Sequence, residues 1–175
     1  MNPFFTIGHS TREFAAFAEL LEASRVEHVV DVRTVPRSRT NPQFNKDVMP
    51  DALSAVGMSY EHLVALGGLR GKSKTVVPDE NGFWNNDSFH NYADYALTSE
   101  FDGGLAQLIE RGRQQRCVIM CAEAVWWRCH RRIVADYLLA RDLEVLHIMG
   151  EGRIDAATLT PAAVVGEDGK VRYPA

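Results

Sequence analysis

Residues 116–132 read Arg-Cys-Val-Ile-Met-Cys-Ala-Glu-Ala-Val-Trp-Trp-Arg-Cys-His-Arg-Arg. Two thiols (Cys121, Cys129), a carboxylate (Glu123), an imidazole (His130) and several guanidinium groups fall in this one stretch. Groups of these types do nucleophilic, acid–base and anion-binding work. The apolar run 117–121, bounded by charge, predicts a buried strand. Ile133, Val134, Tyr137 and Leu138 predict one face of a helix. Residues 122–128 are then a strand-to-helix turn, the place where ligands bind in an open α/β sheet. Cys129 and His130 are expected in the first helical turn, where the dipole favours a thiolate or a bound anion.

The rest of the chain must position that turn. Residues 4–7 predict a first strand, followed by a turn at 8–10. Ser10-Thr11-Arg12-Glu13 has the form of a capping box. Phe14, Phe17, Ala18 and Leu21 predict the buried face of a first helix. Residues 27–32 predict a second strand ending in Asp31-Val32-Arg33, parallel to the first through a right-handed crossover. A polar, ordered loop spans 34–44, and Pro50 is suited to open a short helix. Residues 58–64 predict a third strand, 67–72 a flexible basic loop and 78–87 a further loop. Helices follow around Phe89, Tyr92, Ala93 and Ala96, and around Leu105, Leu108 and Ile109; residues 143–148 predict the last strand. This alternation predicts a single α/β domain, a mainly parallel sheet with helices on both faces, over residues 1–150. Residues 151–175 are expected to be a tail or an edge element of the same domain.

In a parallel sheet the residues just past each strand share one edge. Those residues are His9 and Ser10, then Asp31 and Arg33, then Cys121 and Glu123 ahead of Cys129-His130-Arg131, and finally His147. Complementary polar groups at one edge are a stronger signal than any one of them. Each also has a plainer reading. Cys121 can be a small buried hydrophobe, His9 can satisfy a nearby carbonyl, and Asp31 and Arg33 can be a structural pair. Trp126 and Trp127 cannot easily both face inward, so at least one is expected to border a pocket and stack on a planar ligand. Glu123 lies two residues past an apolar strand, where burial would favour a working acid or base. Cys121, Cys129, His130 and His9 carry ligand atoms, but their spacing fits no compact zinc pattern. No phosphate-cradling glycine motif is present, so neither metal nor cofactor is expected.

The chain has 175 residues and a net charge of −4, so bulk charge does not predict nucleic-acid binding. Basic residues nevertheless cluster: Arg33, Arg37, Arg39 and Lys46; Arg70, Lys72 and Lys74; and Arg111, Arg113, Arg116, Arg128, Arg131 and Arg132. They are read either as a solvated face or as a local anion-binding surface. The start carries no signal-peptide pattern and no stretch long enough to span a membrane. Three cysteines, an odd number, argue for a reducing, cytoplasmic setting over a disulfide framework.

Several of these motifs together resemble the DUF488 family: Thr6-Ile7-Gly8-His9-Ser10, Asp31-Val32-Arg33 with Pro36 and Ser38, Tyr60, Leu66-Gly67-Gly68, Cys121-Ala122-Glu123, Cys129-His130-Arg131 and His147-Ile148. The resemblance covers roughly Phe4 to Ile148. It implies a compact α/β domain and, through members associated with removing N6-methyladenine from DNA, a DNA repair glycosylase that flips its target base. Such an enzyme needs a base pocket, aromatic stacking, a carboxylate and cations for flanking phosphates. On that reading Glu123, Asp31 and His9 are the catalytic candidates. Ser10, Arg33, Arg37, Ser38, Arg39, Cys121, Trp126, Trp127, Arg128, Cys129, His130 and Arg131 are the substrate-binding candidates, and DNA is the partner. A second reading is thiol-dependent, a sulfurtransferase or phosphatase-type enzyme using Cys121. Asp31-Val32-Arg33 with Cys121 ending a central strand faintly resembles rhodanese-type sulfurtransferases, although the turn after Cys121 is longer, lacks glycine and carries an acid. A third is a non-catalytic nucleic-acid or small-ligand binding domain. The sequence leaves the oligomeric state open.

Overall fold

The run 117–121 forms β4 (Cys117–Cys121), in which every residue is buried. A strand covered on both faces belongs inside a parallel sheet, and in this computed structural model, which describes residues 1–175, β4 lies between β2 (His28–Asp31) and β1 (Phe4–Gly8). With β3 (Ser59–His62), β5 (Val145–Gly150) and β6 (Arg153–Ala156), the sheet order is β3-β2-β4-β1-β5-β6. All neighbours are parallel except β6, which runs antiparallel to β5.

The two-residue period of β4 divides the core. Cys117, Ile119 and Cys121 join the cluster made with α3 (Asp87–Tyr95), α4 (Ser99–Gln114) and α5 (Arg131–Leu139). Val118 and Met120 join the opposite cluster, with Phe17 and Leu21 of α1 (Phe14–Ala23) and Met49 and Leu53 of α2 (Met49–Ser54). The result is a single α/β domain with helices on both faces of a mainly parallel sheet. No helix is long and apolar enough to cross a membrane.

β1 and β2 run parallel, as the crossover predicts, with β4 inserted between them. Other local expectations need correcting. The capping box does not form: α1 starts at Phe14 with Glu13 as its N-cap and no side-chain cap. Ser10 instead takes a left-handed φ of 52°, and its N–H is held by the carbonyl of Ala122, which keeps it away from the helix end. Residues 126–128 form a 3-10 turn, Cys129 is extended and His130 is the N-cap of α5, so the thiol lies just ahead of the helix. The chain also gains strands after residue 150. β6 covers the edge of β5, and β7 (Val164–Val165) pairs with β8 (Val171–Arg172). Buried Tyr173 anchors this end by donating to Asp136 at 2.7 Å.

Candidate functional site

Strand register builds the site. Gly8 lies level with Cys121, and Asp31 with Met120, so the ends of β1, β2 and β4 meet at one edge. The ladder continues past β1: His9 N–H donates to Cys121 O at 2.8 Å and Ser10 N–H to Ala122 O at 3.0 Å. The turn after β4 therefore passes directly over Gly8, where a Cβ would stand 1.6 Å from the Glu123 carbonyl oxygen. No other residue fits there.

Asp31, fully buried, is the centre of a closed network. Arg33 donates to it from Nε at 2.9 Å and Nη2 at 2.7 Å, and Tyr60 donates its hydroxyl at 2.5 Å. Arg33 also reaches the Phe44 carbonyl at 2.6 Å and His9 Nε2 at 3.2 Å. His9 stacks on Phe44 with ring centroids 4.4 Å apart. Burial lowers the pKa of His9, opposed by its contact with the Ser10 carbonyl and reinforced by the charge of Arg33. The neutral ring then donates from Nδ1 to Ser10 O at 2.8 Å and accepts from Arg33 at Nε2. Burial, and the hydrogen bond to Asp31, push the Tyr60 phenol upward, so it stays a donor.

Two adjacent cavities open over this edge. The first, about 310 Å³, is lined by Thr34, Val35, Gly68, Leu69, Phe89, Cys121, Arg128, Cys129 and His130 among others. The second, about 330 Å³, is more polar and is lined by His9, Ser10, Arg37, Ser38 and Asn41. Arg33, Val35, Ala122 and Glu123 line both. Glu123 is exposed rather than buried, and its Oε1 accepts the Val125 N–H at 3.3 Å. It is the only carboxylate shared by the two linings.

The floor of the first cavity is a pair of unlinked thiols, Cys121 and Cys129, with sulfurs 2.8 Å apart. Arg131 lies 1% exposed, and none of the chain's ion pairs includes it. Its Nε and its backbone N–H each donate to Cys129 Sγ at 3.4 Å, Nη1 donates to Thr6 Oγ1 at 3.1 Å and Nη2 to the Glu123 carbonyl at 2.7 Å. A buried guanidinium with no carboxylate demands another anion, and Cys129 is the group placed to supply it. His130 Nδ1 stands 3.5 Å from the same sulfur, while its Nε2 donates to the Val32 carbonyl at 2.9 Å. Burial opposes ionisation of Cys129, but the hydrogen bond from Cys121, His130 and Arg131 outweigh it and hold this thiol well below the usual range. Burial, with Cys129 beside it, drives Cys121 the other way.

The remaining candidates separate. Arg128 reaches the first cavity, and Arg37 and Ser38 the second; Arg39 is exposed outside both linings. Trp126 and Trp127 line neither: the 3-10 turn directs Trp126 toward β5, where it stacks on His147 at 4.7 Å, and Trp127 stands edge-on to Trp126, 42% exposed. His147 is buried within β5 and paired with Thr6 at 2.6 Å. The aromatic wall is Phe89, itself stacked on Trp84 at 4.7 Å. Phe89, Ser88, Leu69 and Thr34 were not singled out as site residues by sequence. The sequence signal that could have found this loop is Gly67-Gly68: a Cβ on Gly68 would meet His130 Nδ1 at 2.5 Å, so the pair marks a loop pressed against the site. The basic loop is partly consumed, with Arg70 lying 3.7 Å over the Tyr95 ring. No three His, Cys, Asp or Glu side chains converge as a metal site.

Residues 13–138 match the family model described as "Domain of unknown function DUF488". The chain belongs to that family, whose description assigns no reaction. No curated protein and no solved structure matches it.

Proposed function

We propose that this chain is a DNA glycosylase-like hydrolase that cleaves the N-glycosidic bond of a modified adenine, N6-methyladenine, with Glu123 as the working carboxylate. The observation that supports it is the position of Glu123: exposed, at the junction of a cavity walled by Leu69 and Phe89 and a polar cavity carrying Arg37, Ser10 and Ser38. An extruded purine suits the first, stacked on Phe89, and the flanking phosphate suits the second, beside Arg37. The bond between base and sugar then lies beside Glu123. The water oxygen bonds the sugar as the C–N bond breaks; the carboxylate takes the water's proton and stabilises the oxocarbenium-like sugar, and the departing base, hydrogen-bonded by Arg128, takes its proton from solvent. Asp31 and His9, both engaged by Arg33, serve by holding Arg33 at the boundary of the two cavities. Glu123→Gln is expected to lower release of free base from a methylated duplex at least about a hundredfold, read by chromatography of the liberated base. Binding should weaken steeply with added salt. Base release that survives Glu123→Gln rejects this assignment.

One observation favours the thiol-dependent reading instead, with the reacting sulfur moved from Cys121 to Cys129: the contact of Cys129 with both Arg131 and His130. Loss of all activity in Cys129→Ser, together with turnover of thiosulfate, would select it.

A further inference from the structure

We propose that Cys129 and Cys121 form a redox-active dithiol, in which Cys129 reacts with a small hydroperoxide and Cys121 resolves the product into an intramolecular disulfide.

Geometry carries this. The sulfurs stand 2.8 Å apart, closer than the roughly 3.5–4 Å at which even carbon atoms rest against each other. Cys121 ends β4 and Cys129 lies between the 3-10 turn and α5, so the fold of this turn brings the pair together. Both border an open cavity of about 310 Å³, which a hydroperoxide enters easily.

The two sulfurs are not equivalent. Cys129 accepts from the Nε and the backbone N–H of Arg131, and it faces His130 Nδ1. Cys121 accepts no N–H hydrogen bond: besides Cys129, its partner is the Glu123 carbonyl at 3.8 Å, an acceptor that suits a protonated thiol. Reactive thiols are those with thiolate character and access, and sensor thiols commonly stand beside a resolving partner. The third cysteine, Cys117, is an internal reference. It is fully buried at the opposite end of β4, and burial pushes its thiol up to about 12.

The steps balance. The Cys129 thiolate attacks one peroxide oxygen, forming S–O as O–O breaks. Sulfur is oxidised to the sulfenic acid, peroxide is reduced, and the departing hydroxide takes a proton to become water. The Cys121 thiol then loses its proton as its sulfur attacks Cys129. S–S forms, S–O breaks, and a second water leaves. Two thiols and one hydrogen peroxide give one disulfide and two waters. Closing the bond removes the anion that Arg131 contacts, and Arg131 also holds the Glu123 carbonyl, so the change reaches the turn above Gly8. The proposal does not depend on the reaction assigned to Glu123.

The test uses the full chain and hydrogen peroxide at one molar equivalent, read by thiol titration and non-reducing peptide mass mapping. Two thiols should disappear, the cross-linked peptide should join Cys121 to Cys129, and Cys117 should remain free. In Cys121→Ser a sulfenic acid on Cys129 should persist long enough to be trapped by dimedone. In Cys129→Ser oxidation of Cys121 should slow at least about tenfold. Cys121→Ala and Cys129→Ala repeat the comparison, and thermal unfolding checks that each variant is folded. Loss of all three thiols at one common slow rate, or a cross-link that includes Cys117, overturns the proposal.

Discussion

The two ends of the sheet hold similar inventories of polar groups and treat them differently. At the amino end, around the starts of β2, β3 and β4, His28 bridges Ser59 at 2.6 Å and Glu61 at 2.8 Å, Arg111 donates to Glu61 at 2.8 Å, and Arg116 reaches the Ser24 carbonyl at 3.0 Å. Every one of these charges has a protein partner, and Cys117 sits sealed beneath them. At the carboxyl end Asp31, Arg33, His9 and Tyr60 are just as fully matched, yet the layer above them is not. Glu123, Arg128 and Arg37 open onto cavities, and Arg131 has only a thiol as its counter-ion. Density of ionisable groups therefore does not mark a site. What distinguishes one end from the other is polar chemistry that the protein itself leaves incompletely paired, next to space for a ligand.

The largest effect that tests this contrast is at its buried support. Asp31→Asn would leave Arg33, 7% exposed, facing a neutral amide in place of a bidentate carboxylate. Removing one partner of a buried pair costs about 3–5 kcal/mol, to be read from urea unfolding midpoints. A loss under about 1 kcal/mol, the scale of a surface pair, would mean that the network is not the frame of the carboxyl end.

Acid should reveal the next effect. Burial, with the charge of Arg131 second, lowers His147 from 6.5 to about 4. The unfolded chain binds this proton first, so the contribution is fully present above pH 6.5, is lost as pH falls through that window, and is exhausted below about 4. The gap is worth roughly 3 kcal/mol, and His9, lowered in the same direction, adds to it. At the amino end Glu61 acts in the same direction but at lower pH. Burial raises its carboxyl, but the hydrogen bonds from His28 and Arg111 outweigh that and lower it below 4.5, so its contribution is present above about 4.5 and is lost only as pH falls below that value. Stability measured from pH 7 to 4 should fall in the native chain and fall much less in His147→Gln. An equal slope in both would remove His147 as the cause.

Glu61→Gln should cost less than Asp31→Asn, about 1–2 kcal/mol, because the Glu61 side chain is 20% exposed and water can stand in for part of what is lost. A cost matching that of Asp31→Asn would erase the ranking of the two ends.

The legible and illegible parts of this fold divide along physical lines. Central strands and amphipathic helices write their period into the sequence, so β1, β2, β4 and α5 could be placed, and with them the meeting of Gly8, Asp31 and Cys121 at one edge. β6, with Ile154 48% exposed, and β7, exposed throughout, have little burial to impose a period, and β8 is only two residues long. The direction of an indole in a 3-10 turn is set by what it packs on, so the stacking of Trp126 on His147 could not be read from spacing. Phe89 has the periodicity of a core residue, and its place on the cavity wall depends on the loop carrying Leu69. Burial of Glu123 was expected from its distance to an apolar strand, but the crossing over Gly8 turns its backbone inward and leaves its carboxylate outside.

That orientation makes Glu123→Gln the smallest predicted change in stability and the sharpest one for the comparison. The side chain accepts a single hydrogen bond, from Val125, which a glutamine oxygen can also accept, and it belongs to no ion pair. Exposed substitutions of this kind fall within about 0.5 kcal/mol of the parent. Loss of activity at unchanged unfolding midpoint would separate chemistry from scaffold at the carboxyl end and would assign Glu123 to the reaction. A destabilisation approaching that of Asp31→Asn would instead make Glu123 one more closed partner, and the two ends of the sheet would then be built alike.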